Sequence, residues 1–218
     1  MDIFSIIGPV MIGPSSSHTA GAVKIGRAAR LILGEAPQKA HVILYGSFAK
    51  TGRGHGTDKA ICAGLLGFLP DDIRIRDSIP LAKDEGLALS FAFEEGEGLH
   101  PNTARITLSG AKNAAVITAS SLGGGHIVVC NIDGLEVAFS GEYHTLIVMH
   151  RDEPGAIAAV CAILEHYDIN IAQMSCRRGT KGGDALMILE LDRGLTPAEQ
   201  TQLIALPVAS RVIPISPI

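Results

Sequence analysis

Two hydrophobic rhythms run along this chain. In residues 22–33, apolar Val23, Ile25, Ala28, Ala29, Ile32 and Leu33 are interleaved with Lys24, Arg27 and Arg30. That spacing predicts a helix with one apolar and one basic face. The run Val42-Ile43-Leu44-Tyr45-Gly46-Ser47-Phe48 predicts a strand, and residues 59–69 a helix. Residues 87–93 and 104–108 alternate apolar and polar, as half-buried strands do. The character changes near Gly141. Residues 144–150 predict a strand, and residues 156–167 a helix with Ile157, Val160, Cys161 and Leu164 on one face. Strands follow at 169–178 and 184–191, separated by the turn 178–183. Thr196, Pro197 and Glu199 spell a capping box with Pro in the first helical position, and 208–215 closes with a strand. The order βαββαβ is the split-βαβ pattern. Two domains are expected, over residues 1–140 and 144–218.

The whole-chain numbers limit the classes. The chain has 218 residues, a formal charge of −4, 47% hydrophobic and 18% charged residues. It is globular, with room for one large or two small domains. No basic stripe argues for nucleic acid. No apolar run approaches the length of a bilayer span. Residues 1–5 show no basic stretch leading into an apolar one, so no leader peptide is expected and the cytoplasm is the default. Cys62, Cys130, Cys161 and Cys176 are dispersed in apolar contexts without paired spacing. They read as small buried hydrophobes rather than ligands of a metal or cluster. With no Trp and 4% aromatic residues, base-stacking platforms are not expected.

The chemistry concentrates in three polar segments. The first, residues 12–21, reads Ile-Gly-Pro-Ser-Ser-Ser-His-Thr-Ala-Gly and runs into the first predicted helix. Ser and Thr oxygens cap free helix amides, and those amides also favour a bound anion. Ser15, Ser16, Ser17, His18 and Thr19 are thus candidates for a carboxylate or phosphate, with a simple helix cap as the plain alternative. The second, Thr51-Gly52-Arg53-Gly54-His55-Gly56-Thr57-Asp58, reads as a Gly-rich strand-to-helix loop with His55 at its tip. It is neither a Walker loop nor GxGxxG. Its plain alternative is a flexible connection, and Arg53 is expected to face solvent. The third is Glu97-Gly98-Leu99-His100-Pro101-Asn102-Thr103, where Pro101 makes a rigid turn; its alternative is a hairpin loop. Three loop histidines beside small hydrogen-bonding neighbours suit proton transfer on a small polar anion. Zinc ranks low, because ligand pairs at short spacing are missing.

Residues 144–218 resemble an ACT domain, a regulatory module of amino-acid metabolism, through Asp152-Glu153-Pro154-Gly155 and Ile169-Asn170-Ile171. The resemblance implies a ferredoxin-like fold, edge-to-edge pairing into a homodimer, and an amino-acid site between two copies. The equivalent positions here are Asp152, Gly155, Ala156 and Asn170; a dimerisation module without ligand is the alternative. Residues 1–140 closely resemble the beta subunit of the two-subunit, iron–sulphur L-serine dehydratases. The matching motifs are Gly13-Pro14-Ser15-Ser16-Ser17-His18-Thr19, Gly54-His55-Gly56-Thr57-Asp58-Lys59 and His100-Pro101-Asn102. This likeness implies an α/β (α+β) chain whose first domain is similar to the allosteric substrate-binding domain of some phosphoglycerate dehydrogenases.

In that family a 4Fe-4S cluster draws off the hydroxyl of L-serine while a base removes the α-proton. The aminoacrylate then hydrolyses to pyruvate and ammonia. The cluster's cysteines belong to the alpha subunit, so an obligatory alpha partner is expected. The resemblance implies acid–base or orienting roles for His18, His55 and His100, with His55 the first candidate for the base. Ser16, Ser17, Thr19, Thr57, Asp58 and Asn102 would hold the substrate or shape the loops. A requirement for potassium stays open. The rival reading is a stand-alone amino-acid-sensing protein; a detached regulatory half of a phosphoglycerate dehydrogenase ranks last, having no dinucleotide fingerprint.

Overall fold

The computed structural model describes residues 10–218, and of Arg53 the backbone only. The expectations for residues 1–5 and for the Arg53 side chain lie outside what it describes. The chain forms two compact units, up to Asp133 and from Gly134 to Ile218.

In the first unit, a π-turn at Ser16–Ala20 runs directly into helix α1 (Gly21–Leu33). Strand β1 (Lys39–Tyr45) leads into α2 (Gly46–His55) and α3 (Thr57–Leu66). A 3-10 turn at Ile73–Asp77 and α4 (Ser78–Asp84) precede β2 (Ala88–Glu94), β3 (Thr103–Ser109), β4 (Ala114–Gly123) and β5 (His126–Ile132). The strand order is β2-β1-β3-β4-β5. Strand β1 runs parallel to β2 and antiparallel to β3, and β3-β4 and β4-β5 are antiparallel.

Helix α1 lays its apolar face over β3, β4 and β5 and packs along α3. Ile25, Ile32, Leu33, Leu44, Ile61, Leu65, Ile106 and Ile117 fill this core. The two helices touch backbone to backbone. A Cβ on Gly64 would collide with the Val23 carbonyl oxygen, and one on Gly26 with that of Ile61. The basic face of α1 is not simply solvated. Arg27 donates to the Gly67 carbonyl at 2.6 Å and Arg30 to that of Leu65 at 2.8 Å, covering acceptors that the end of α3 leaves free.

The second unit holds β6 (Leu135–Phe139), β7 (His144–Arg151), α5 (Ala156–His166), β8 (Ile171–Arg178), β9 (Asp184–Leu191), α6 (Pro197–Ile204) and β10 (Ala209–Ile215). Its sheet has the order β10-β7-β9-β8, with every neighbouring pair antiparallel. Val160, Leu164 and Leu203 from the helices meet Leu146, Val148, Met187 and Leu189 from the strands in one core. This is the ferredoxin-like arrangement implied above. The capping box forms as its spelling predicts: Thr196 caps Glu199, whose carboxylate returns to the Thr196 amide at 2.7 Å.

Two local expectations in the first unit change. The Gly-rich segment is not an open loop: residues 46–55 wind into α2, and a left-handed Gly56 (φ 68°) turns the chain straight into α3. The segment around His100 is not a hairpin, because β1 lies between β2 and β3.

Candidate functional site

The site grows from the first turns of α2. The amides of Ser47 and Phe48 both donate to the Pro101 carbonyl, at 2.7 and 3.3 Å. A backbone oxygen of the third polar segment thus covers donors that a helix start leaves free. Gly46 enables the approach: its φ is +55°, and a Cβ there would lie 2.7 Å from that same oxygen.

The first segment meets the same helix from another direction. Ser15 begins the π-turn, and its hydroxyl accepts from the His18 amide at 3.1 Å. Such a turn, with its wider winding, often marks a functional position. It delivers the half-buried His18 ring onto α2, edge-on to the buried Phe48 with ring centres 5.2 Å apart. His18 Nε2 lies 3.1 Å from both Ser47 Oγ and Thr51 Oγ1. His18 Nδ1 lies 3.0 Å from Ser17 Oγ and 3.4 Å from Ser15 Oγ. Both ring nitrogens are therefore engaged.

His55, in the last turn of α2, places its ring 5.1 Å from that of His18. It is exposed, and among the described residues none hydrogen-bonds either of its ring nitrogens. The space where a Cβ of Gly54 or Gly56 would sit is open. Burial pulls the His18 pKa below its ordinary value, the neighbouring His55 adds to this, and a hydrogen bond to the Ser47 backbone opposes it. A buried imidazole beside a second imidazole is disfavoured as a cation. The pair thus divides into a held, neutral ring and a free, solvent-facing one.

His100 is exposed, and its Nδ1 accepts from the Asn102 amide at 3.2 Å within its own turn. The loop's backbone, rather than the His100 ring, reaches α2. Asn102 is tied to β4 through the Ser121 amide (2.9 Å) and carbonyl (3.4 Å), and Thr103 bonds Ser120 at 2.7 Å.

Among the other candidates, Ser16 is half-buried on the π-turn and its carbonyl accepts from Gly21. Thr19 is buried, and its hydroxyl faces the His55 carbonyl at 3.5 Å. Thr57 is fully buried with an unpartnered hydroxyl, and Asp58 accepts from the Lys59 amide at 2.8 Å. Thr19 and Thr57 accordingly shape the backbone that carries the two rings. Ser47 and Thr51 were not anticipated: Ser47 stands in a run that reads as strand, and nothing in the spelling separates Thr51 from other surface hydroxyls. Ser121 was also unforeseen; its buried, unpartnered hydroxyl is pressed against Gly21.

In the second unit, Asp152 accepts from the Gly182 amide at 3.0 Å and from Arg178 at 3.1 Å, and both bonds, Gly182 first, hold its carboxyl below the usual range. Gly155 is left-handed (φ 92°) at the start of α5, and Ala156 is buried. Asn170 bonds Asp192 at 2.9 Å, at the start of β8. The register puts Asp152 and Asn170 at opposite ends of the sheet. Eight residues at ~3.3 Å each separate those ends by about 25 Å. One copy alone does not bring the four together.

An iron–sulphur cluster needs several converging thiolate ligands. Among the described residues no group of three or more His, Cys, Asp or Glu side chains converges to hold a metal. Cys62 is buried, donates to the Ser78 carbonyl at 3.3 Å, and has its thiol pushed up to about 11 by burial. Cys130 and Cys176 are also raised by burial. Such thiols do not fit a cluster that demands thiolates.

Comparison with known proteins gives two family matches: serine dehydratase beta chain over residues 1–85 and ACT domain over residues 144–208. A probable L-serine dehydratase beta chain of Bacillus subtilis (strain 168) is 44% identical, covering 94% of this chain and 93% of that one. The L-serine dehydratase beta chain of Peptoniphilus asaccharolyticus is 37% identical over 92% of this chain and 91% of its own length. A D-3-phosphoglycerate dehydrogenase of Bacillus subtilis (strain 168) is 29% identical over 80% of this chain but only 33% of its own.

Proposed function

This chain belongs to the serine dehydratase beta-chain family, and from that premise we propose that it is the beta subunit of an L-serine dehydratase, converting L-serine to pyruvate and ammonia with an alpha partner. In this reading residues 1–140 form the substrate-facing domain and residues 144–218 the ACT domain. The observation that carries it is the His18–His55 pair, ring centres 5.1 Å apart, where the π-turn of the first segment meets α2, the helix whose start is capped by the His-Pro-Asn loop. Three segments distant in sequence meet there.

His55 is the base that takes the α-proton: its ring is exposed and, among the described residues, its nitrogens are uncommitted, as a proton acceptor requires. His18, gripped at both nitrogens, orients the site. Ser17, beside His18, and with it Ser16, Asp58 and Asn102, are assigned to hold the amino acid's charged groups. His100 is exposed on the loop whose backbone caps α2, and it is assigned an orienting role. The 4Fe-4S cluster, which supplies the Lewis acid for departure of the β-hydroxyl, belongs to the alpha chain in this proposal.

The ACT domain pairs two copies through β8, an edge strand with exposed Ala172, Gln173 and Met174. Antiparallel pairing of two β8 strands would bring Asn170 of one copy to the Arg178 end of the other, the end of the sheet that carries Asp152 and Gly155. An open hollow of ≈ 390 Å³ lined by Cys161, Leu164, Glu165, Asp168 and Asn170 lies along that edge and suits an effector.

The test is reconstitution. The chain mixed with cluster-loaded alpha subunit is expected to form pyruvate from L-serine, and either chain alone to form none. L-serine binding by the isolated chain, with no activity in the mixture, would overturn the enzymatic reading and favour an amino-acid sensor.

A further inference from the structure

The hydrogens around His18 can be counted. Thr51 donates its single hydroxyl proton to the Ser47 carbonyl at 2.9 Å. Its oxygen, 3.1 Å from His18 Nε2, is then left only as an acceptor. An unprotonated Nε2 would face that oxygen lone pair to lone pair. A protonated Nε2 donates to it and, equally, to Ser47 Oγ at 3.1 Å. The neutral ring then carries its lone pair on Nδ1, where Ser17 Oγ lies at 3.0 Å and becomes the donor. Ser15 Oγ, already accepting from the His18 amide, lies 3.4 Å from the same nitrogen and 3.3 Å from Ser17 Oγ; with the shorter Ser17 contact taking the Nδ1 lone pair, the Ser15 proton turns to Ser17, whose second lone pair stays open.

We propose that Ser47 and Thr51 are positioning residues that lock His18 as the Nε2-protonated neutral tautomer, committing the Ser17 proton to Nδ1 and leaving Ser17 an acceptor only. A hydroxyl restricted to accepting matches the ammonium of an amino acid, a donor, and not its carboxylate. The relay Thr51–His18–Ser17 thereby assigns one end of the substrate. The substrate part of this inference rests on the reading of the chain as an L-serine-binding subunit; the tautomer part does not.

Long-range proton–nitrogen NMR of the full chain, labelled with ¹⁵N-histidine, reads the tautomer directly. The wild type is expected to show His18 Nε2 at the protonated shift and Nδ1 at the unprotonated one. The double variant Ser47→Ala with Thr51→Val is expected to lose that preference, and restoring Thr51 as Ser in the Ser47→Ala background to recover it. In the reconstituted enzyme the double variant is expected to raise KM for L-serine about tenfold with kcat within threefold, as for loss of a hydrogen bond made in both ground and transition states. Nδ1 protonation in wild-type His18 would overturn the proposal even if the double variant does not fold. So would a double variant whose tautomer is unchanged. A locked tautomer in a chain that never supports pyruvate formation would sink the functional reading and leave the relay standing.

Discussion

The two units build their interiors by different means. In the ACT unit the strands pair far along the chain, β7 with both β9 and β10, but each element follows its own period: Leu146 and Val148, and Met187, Leu189 and Leu191, enter the helix-covered core at alternate positions. In the first unit, the parts that matter are joined across 29 residues (His18 to Ser47), 33 (His18 to Thr51) and 36 (Thr19 to His55). The Ser47 and Phe48 amides meeting the Pro101 carbonyl complete the assembly. Periodicity reports which face a local element buries. It carries no information on which distant carbonyl will cap a helix, so the fold of one unit is open to pattern reading while the site of the other is known only once the backbone is placed.

The largest effect should come from Gly64→Ala. Its methyl would be driven into the Val23 carbonyl, and neither helix backbone can yield without moving α1 off the sheet. Overpacking of this kind is expected to cost about 3 kcal/mol. Thermal unfolding followed by NMR should show the loss in the first unit with the ACT signals little changed; equal loss in both would break the contrast drawn here. Thr196→Ala probes the other side. It removes the N-cap of α6 and should lower stability of the ACT unit by about 1 kcal/mol, measured by denaturant titration.

Acid should separate the units next. Arg193 bonds Glu199 at 2.9 and 3.0 Å and, with the Thr196 amide, holds its carboxyl down to about 2. The folded pKa lies below the unfolded value of ~4.3, so this contribution is complete above that value and is lost as pH falls towards 2. Glu199→Gln should flatten the acid dependence of ACT unfolding over that window. In the first unit His18 is likewise depressed. Its contribution is complete above the ordinary imidazole value of ~6.5 and declines as pH drops below it. The smallest effect follows from this: His55→Ala should move the His18 NMR titration midpoint upward, because one repelling neighbour is gone. A midpoint that does not move would mean the two rings do not sense each other.

Much of the architecture was legible. The βαββαβ order, the capping box and the first helix follow from spacing alone, and the three histidine segments stand out by composition. The Gly-rich segment misled because glycine disfavours helices; α2 forms there because its start is capped by Pro101 and its end by the left-handed Gly56. The β4–β5 pair was not read at all, and with it went Ser120 and Ser121, which anchor the His-Pro-Asn loop. Ser47 and Thr51 were invisible for a plainer reason. A hydroxyl's role depends on the atom opposite it, and His18 is 29 or more residues away.

The central claim is that the free ring of the His18–His55 pair moves the α-proton of L-serine. The most direct test is pyruvate formation by the reconstituted two-chain enzyme carrying His55→Ala, with complex formation checked in parallel. The account predicts turnover reduced by ~10²-fold or more with assembly intact, as for loss of a general base. Turnover within twofold of wild type, in an intact complex, would contradict it.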